Sequence, residues 1–179
     1  MLYCRVLRGL APGRLEEGAI VQKPLVEKPD IPSEYGNPSQ RLEWADVEQK
    51  LVSANVYWLA STRPDGRPHV IPRDGVWLDG GLYYGGSPKT VHYRNITRNP
   101  HVVVHIGDGQ EAIIVEGAIE IEKPTEELAA RLSDESFSKY PQYGRVDPSR
   151  YFGGVSVLRP HRVLAWTILY KNATRFRFQ

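Results

Sequence analysis

The sequence predicts a mainly β domain: a six- to seven-stranded antiparallel barrel with peripheral helices. Three observations lead there. Short apolar-alternating runs are separated by tight-turn chemistry at Pro64-Asp65-Gly66, Asp79-Gly80-Gly81 and Asp108-Gly109, which joins antiparallel neighbours. Only three stretches carry helical patterning. The resulting order is helix, three strands, helix, two strands, helix, two strands, and so few helices suit a small closed barrel rather than a parallel sheet.

Each element follows from its residues. Pro12, Pro24, Pro29, Pro32 and Pro38 interrupt residues 1–38, which read as an extended arm, loose or draped on a partner subunit. Residues 39–179 read as one domain. Trp44, Val47 and Leu51 recur at helical spacing between charged residues, with Ser39 as a plausible cap. Residues 57–62 form a β-rich run, residues 68–78 a second and residues 82–86 a third. A polar helix is expected over residues 88–99, stopped by Pro100. Val102, Val104 and Ile106 alternate on the next strand, and Ile113, Val115, Ile119 and Ile121 share one face of its partner. Pro124 and Thr125 open a helix whose acidic first turn, Glu126 and Glu127, suits the positive end of the helix dipole. Leu128, Ala129 and Leu132 make its apolar stripe, and residues 140–150 read as a loop. A long strand over residues 155–167 carries Pro160 at a bend or an edge, and Thr174, Phe176 and Phe178 alternate in the last one.

Composition narrows the function classes. Twenty-three basic residues against 21 acidic ones give a net charge of +2, so no general field draws nucleic acid or anionic lipid, and any anion site is local. Cys4 is the single cysteine, which excludes an internal disulfide and a Cys-based zinc site within one chain and fits a reducing cytosol. Arg5, Arg8 and Arg14 break the apolar residues at the start, so neither a secretory signal nor a membrane span is expected. His101 and His105 would stand about 13 Å apart along one strand, too far to share a metal ion. No Gly-x-Ser-x-Gly elbow, Walker loop or dinucleotide fingerprint occurs. Redox chemistry on such a scaffold would have to come from a cofactor.

The segment from Tyr83 to Asn95, YYGGSPKTVHYRN, is the most informative. A strand ending at Gly85-Gly86 lets a ligand approach the backbone. Ser87 is positioned to cap a helix beginning at Pro88. Free N–H groups there, with Lys89 and Thr90 beside them and Arg94 one turn on, make a phosphate site. The competing reading is a capped surface helix with solvated cations. On the preceding strand His69, Arg73 and Trp77 share a face if the strand is regular. A planar ring lying against that strand competes with an ordinary hairpin. The terminal Thr-Arg-Phe-Arg-Phe interleaves cations and rings as nucleic-acid platforms do, but near-neutral charge and a shared Phe176–Phe178 face read more simply as core.

Taken together, the DGRPH turn at 65–69, GVWLDG at 75–80, SPKT at 87–90 followed by Arg94-Asn95, Asn99-Pro100 and VEG at 115–117 resemble the pyridoxamine 5′-phosphate oxidase-like, flavin-binding split-barrel family. With RPHRVLAW at 159–166 and ATRFRF at 173–178, they look closest to its deazaflavin-dependent reductase branch. The resemblance covers about residues 41–179, and the order of the motifs is more specific than any one of them.

That resemblance implies a split β-barrel working as a homodimer, with two sites at the subunit interface for FMN or the deazaflavin coenzyme F-420. The phosphate end would lie at Ser87, Lys89 and Thr90. The ring would lie against His69, Val70, Ile71 and Pro72 and against Tyr84, Gly85 and Gly86. Where the oxidase carries Ser-Arg-Lys, this chain reads Ser87-Pro88-Lys89, so the cationic contact falls to Lys89, His92 or Arg94. No counterpart of the oxidase's pyridoxal-phosphate-binding residues is evident, which argues against pyridoxamine-phosphate oxidation itself. The implied activity is hydride transfer between the cofactor and a small conjugated molecule, with no nucleic acid or membrane partner. The alternative is a non-catalytic carrier or sensor of flavin or haem.

Overall fold

A computed structural model describes residues 23–179. Nine strands form one antiparallel sheet: β1 (Leu25–Glu27), β2 (Tyr57–Thr62), β3 (Pro68–Arg73), β4 (Val76–Leu78), β5 (Gly81–Tyr84), β6 (His101–Gly107), β7 (Ala112–Glu122), β8 (Val155–Trp166) and β9 (Thr174–Arg177). Four helices lie around them: α1 (Trp44–Ser53), α2 (Val91–Arg98), α3 (Glu126–Lys139) and α4 (Leu169–Asn172). The strand order is β1-β9-β8-β7-β6-β2-β3, and the β4–β5 hairpin joins β8 through β5. The long strand β8 thus pairs with β7 along its length, with β5 at its start and with β9 at its end.

Two expectations about strands change. Residues 68–78 are not one run, because the chain breaks at Asp74-Gly75 between β3 and β4. Gly75 is there because a Cβ would come within 3.0 Å of the Tyr83 carbonyl. Strand β1 lies inside the segment read as an arm, of which residues 1–22 lie outside the described residues. Its Leu25 and Val26 are exposed, so it is held by backbone pairing to β9 and by the Glu27–Arg177 ion pair at 2.8 Å. Four residues between Pro24 and Pro29 leave no alternation to read.

The core matches the alternation elsewhere. Leu59, Val104, Val115, Val163 and Phe176 are fully buried inside the barrel. Helix α1 plugs one end with Val47 and Leu51, each burial stabilising by about 1.5–3 kcal/mol. The expected cap does not form: Glu43 is the N-cap residue of α1 and makes no side-chain cap bond, while the Ser39 amide donates to the Lys171 carbonyl. Thr125 does cap α3, accepting from the Leu128 amide at 3.2 Å. Ile121 departs from its row and is exposed, at 54%.

Strands β7 and β8 shift register between Glu116 and Gly117, where Gly117 faces Pro160. A Cβ at Gly117 would meet the Arg159 carbonyl at 2.1 Å, so the strands can approach there only through glycine. The β4–β5 hairpin is buried on both faces. Trp77, Leu82 and Tyr84 enter the barrel core, while Val76 and Tyr83 pack with Leu132 of α3 and with Val155 and Val157.

Candidate functional site

The break at Asp74-Gly75 brings the end of β3 against the end of β5, and α2 starts beside both. Helix α2 is anchored from below. Its buried Asn95 donates to the Ser61 hydroxyl at 3.0 Å, on the strand that pairs with β3. This fixes His92, one turn earlier, against the Gly85-Gly86 end of β5.

The helix begins later than residues 88–90 suggested. Those three form a turn, the helix starts at Val91, and Thr90 is its N-cap residue without a side-chain cap bond. Ser87 holds the turn instead. Its carbonyl accepts from the Thr90 amide (3.0 Å) and hydroxyl (2.7 Å), and its hydroxyl accepts from the Lys89 amide at 3.3 Å. The Ser87 carbonyl is spent on this turn, and the helix proper starts at Val91 with Thr90 as its N-cap residue. Lys89 is exposed, and Arg94 folds back to donate to its carbonyl at 2.9 Å.

Strand β3 divides its residues between two faces. His69, Ile71 and Arg73 are half-buried, whereas Val70 and Pro72 are exposed on the other side. His69 and Arg73 share a face as expected. Trp77 does not, because the break turns it into the core, where its Nε1 donates to Glu48 at 3.1 Å. The guanidinium of Arg73 lies 5.2 Å from the centre of the Tyr84 ring and donates to the Gly85 carbonyl. Tyr84 and His92 stand 6.3 Å apart, ring centre to ring centre.

Four side chains here carry unanswered polarity. Among the described residues, five buried side-chain nitrogens or oxygens have no hydrogen-bond partner, and four belong to this cluster: His69 Nδ1, Arg73 Nε, Tyr84 Oη and His92 Nε2. An unpaired buried polar atom costs about 1–3 kcal/mol, so four in one place mark a site built for something else. A Cβ on Gly85 would meet nothing, and one on Gly86 would lie 3.5 Å from both Arg73 Nη2 and His92 Nε2. The backbone at that strand end is therefore open to a ligand.

Burial, then the neighbouring charges of Arg73 and His69, holds the His92 pKa below its usual value. Burial pushes Tyr84 up to about 12, against the opposing pull of Arg73 and of the Ser156 side chain beside it. At neutral pH the cluster therefore presents a guanidinium, a protonated phenol and an uncharged imidazole. Such a set receives an anion and hydrogen-bonds a polar ring edge.

The sequence analysis named His69, Gly85 and Gly86, and through the resemblance Tyr84 and His92, which the fold brings together, but it did not rank Arg73 among the binding residues. The signal was its place on the His69 face, one step before the Asp74-Gly75 break.

The chain matches the pyridoxamine 5′-phosphate oxidase family over residues 44–167. No match was found among curated proteins. Solved structures share the fold. A conserved hypothetical protein from Mycobacterium tuberculosis is 20% identical, with a TM-score of 0.60 over 73% of this chain and 88% of its own. A heme binding protein from Mycobacterium smegmatis is 20% identical, with a TM-score of 0.56 over 72% of this chain and 55% of its own. A FAD-binding protein from Mesorhizobium loti is 18% identical, with a TM-score of 0.52 over 87% of this chain and 99% of its own.

Proposed function

This chain belongs to the pyridoxamine 5′-phosphate oxidase family, and we propose on that footing that it is a flavin- or deazaflavin-dependent oxidoreductase acting on a small conjugated substrate. The observation that carries the reading is the cluster of unpaired buried atoms on His69, Arg73, Tyr84 and His92. They fit FMN or the deazaflavin coenzyme F-420, which both join a phosphate to a polar-edged tricyclic ring.

Arg73 supplies the fixed charge, and Ser87, Lys89 and Thr90 frame the turn beside it. Among the described residues strand β3 ends the strand order, so its outer backbone groups have no strand partner there and can bond a ring edge. Tyr84, protonated at neutral pH, has an O–H to donate. When bound, the cofactor supplies hydride transfer, and the chain supplies orientation and a preorganised polar surround.

The same reading includes a homodimer. Val70, Ala60 and Val103 line up across β3, β2 and β6, and Pro72, Trp58 and His105 form the next row. Val70 is 51% exposed and Trp58 41%. An apolar row directly behind the cluster suits a second copy. Among the described residues no helix is long and apolar enough to cross a membrane.

The unpaired Nε2 of His92 would also suit an iron, so a haem carrier is the second reading. Titrating the purified chain separately with FMN, F-420 and haem, by ring fluorescence and absorbance, separates the two. Binding of F-420 or FMN with hydride turnover supports the oxidoreductase. Haem binding alone replaces it with the carrier.

A further inference from the structure

A cavity opens beside the β4–β5 hairpin and borders the cofactor cluster at Arg73, Tyr84 and Gly85. It measures about 230 Å³ and lies between the end of β3, β5, α3 and residues 140–155. Tyr83, Tyr140, Tyr143 and Tyr151 line it beside Val76, Leu132 and Val155, with Tyr84 and Gly85 at the strand end, and Arg73 stands where it meets the cluster.

We propose that this cleft is the substrate subsite and takes a small, flat, conjugated carboxylate, its ring among the tyrosines and its acid group at Arg73. The substrate role rests on the cofactor reading; the binding itself does not.

Size comes first. Drug-sized ligands occupy about 300–1,000 Å³, so this volume suits one substituted ring and is too small for a flavin with its phosphate chain. Wall chemistry comes second. Tyrosine faces offer stacking and edge contacts to a flat ring without demanding a particular substituent.

Two of the walls are already fixed. Tyr140 Oη accepts from the Gly75 amide and donates toward the Asn55 or Gly75 carbonyl, each at 3.0 Å. Tyr83 Oη lies 3.3 Å from Glu122 and 3.2 Å from Arg159. Rigid walls lower the ordering cost of binding. Tyr143, 66% exposed, stands 6.1 Å from the Tyr140 ring at the outer edge.

Charge comes third. Asp74, the residue next to Arg73, also lines the cleft, so an acid group is favoured only in direct contact with the Arg73 guanidinium. There Nη2 is spent on the Gly85 carbonyl and Nε faces the cofactor cluster, leaving the Nη1 donors for a carboxylate. The cleft and the cluster share Arg73, Tyr84 and Gly85, so a molecule in one borders an occupant of the other.

The test is binding, read by tyrosine fluorescence and by ligand-detected NMR on the full chain. The probes are benzoate, its neutral counterpart benzamide, and acetate, an acid without a ring. Benzoate should bind about tenfold or more tighter than either, since each lacks one of the two recognised features. Tyr143→Ala, at an exposed ring, should weaken benzoate about threefold to tenfold and leave cofactor affinity unchanged. Benzoate no tighter than benzamide or acetate, or indifferent to Tyr143→Ala, would overturn the subsite even where the cofactor binds. Displacement of benzoate by riboflavin, which has the ring without the phosphate, would put the ring in the cleft and also overturn it. The expected benzoate pattern in a chain that binds no cofactor would keep the subsite and remove the oxidoreductase reading instead.

Discussion

Arg73 stacks its guanidinium 5.2 Å from the centre of the Tyr84 ring while donating to the carbonyl of the next residue, Gly85. A cation on the edge strand is thereby locked over the end of a buried one. Ring and carbonyl fix the plane of the fork before any ligand arrives, so little side-chain entropy remains to be lost on binding. Arg73→Met should weaken FMN or F-420 binding by about 1.5–3 kcal/mol, the worth of a charged hydrogen bond. Arg73→Lys keeps the charge but loses the fork and should fall between. Lys89 is exposed, and Lys89→Ala should cost no more than about 1–3 kcal/mol. Fluorescence titration of the three variants orders them, and a larger loss at Lys89 would move the phosphate onto the turn.

His92 gives a second handle on the same site. It is buried, with Nε2 unpaired, and it faces Arg73, His69 and Tyr84. Its folded pKa lies below the ordinary 6.5. As pH falls from 6.5 toward that lower value, the unfolded chain takes up the proton first, so stability is lost across that window and is intact above it. His92→Gln should remove this loss, seen as a smaller drop in Tm between pH 7 and pH 5. A bound phosphate beside the ring favours the imidazolium, so cofactor should raise the His92 pKa in an NMR titration.

How far the sequence could be read depended on what set each feature. Alternation at Val102, Val104 and Ile106 sets a strand face directly, and all three are buried. The turn at Asp108-Gly109 and the cap at Thr125 are equally local. Glycine at 75 was visible but not its consequence, because the clash it avoids is with Tyr83, eight residues on. The same break moved Trp77 from the expected ligand face into the core. Ser87 looked like a cap because proline suits a first helical turn, yet its carbonyl is used in a tighter turn. The tyrosine cleft had no signature at all, since β5 and the 140–155 segment contribute rings that meet, against Leu132 and Ser136 of α3, only after folding.

The outer face of β2, β3 and β6 tests the dimer separately from the site. Val70 faces away from His69 and Arg73 and is 51% exposed, so Val70→Glu should not disturb the core. If two copies meet on this face, a buried charge there should dissociate them. Light scattering should then report half the wild-type mass, with cofactor affinity reduced if the sites span the interface. An unchanged mass would place any contact between copies elsewhere.

Lys139, at the end of α3, ties three parts of the fold together. Its ammonium donates to the Val52 carbonyl at 2.9 Å and to Tyr57 Oη at 2.8 Å. It also sits 4.8 Å from the Tyr57 ring centre and 5.7 Å from that of Tyr140. Burial brings its pKa down to about 8, with Glu135 opposing the shift. Below pH 8 the folded chain carries a charge that the unfolded chain solvates better, and that cost is present in full. From pH 8 to 10.5 the unfolded state holds the extra proton, so the cost is progressively relieved and stability rises. Tyr57 and Tyr140, whose folded pKa values are raised, pull the other way only above about pH 10. The informative quantity is therefore the difference between wild type and Lys139→Met in denaturant unfolding between pH 7 and 9.5. Wild type should gain on the variant as pH rises, and parallel curves would mean that the ammonium reaches water despite its two aromatic neighbours.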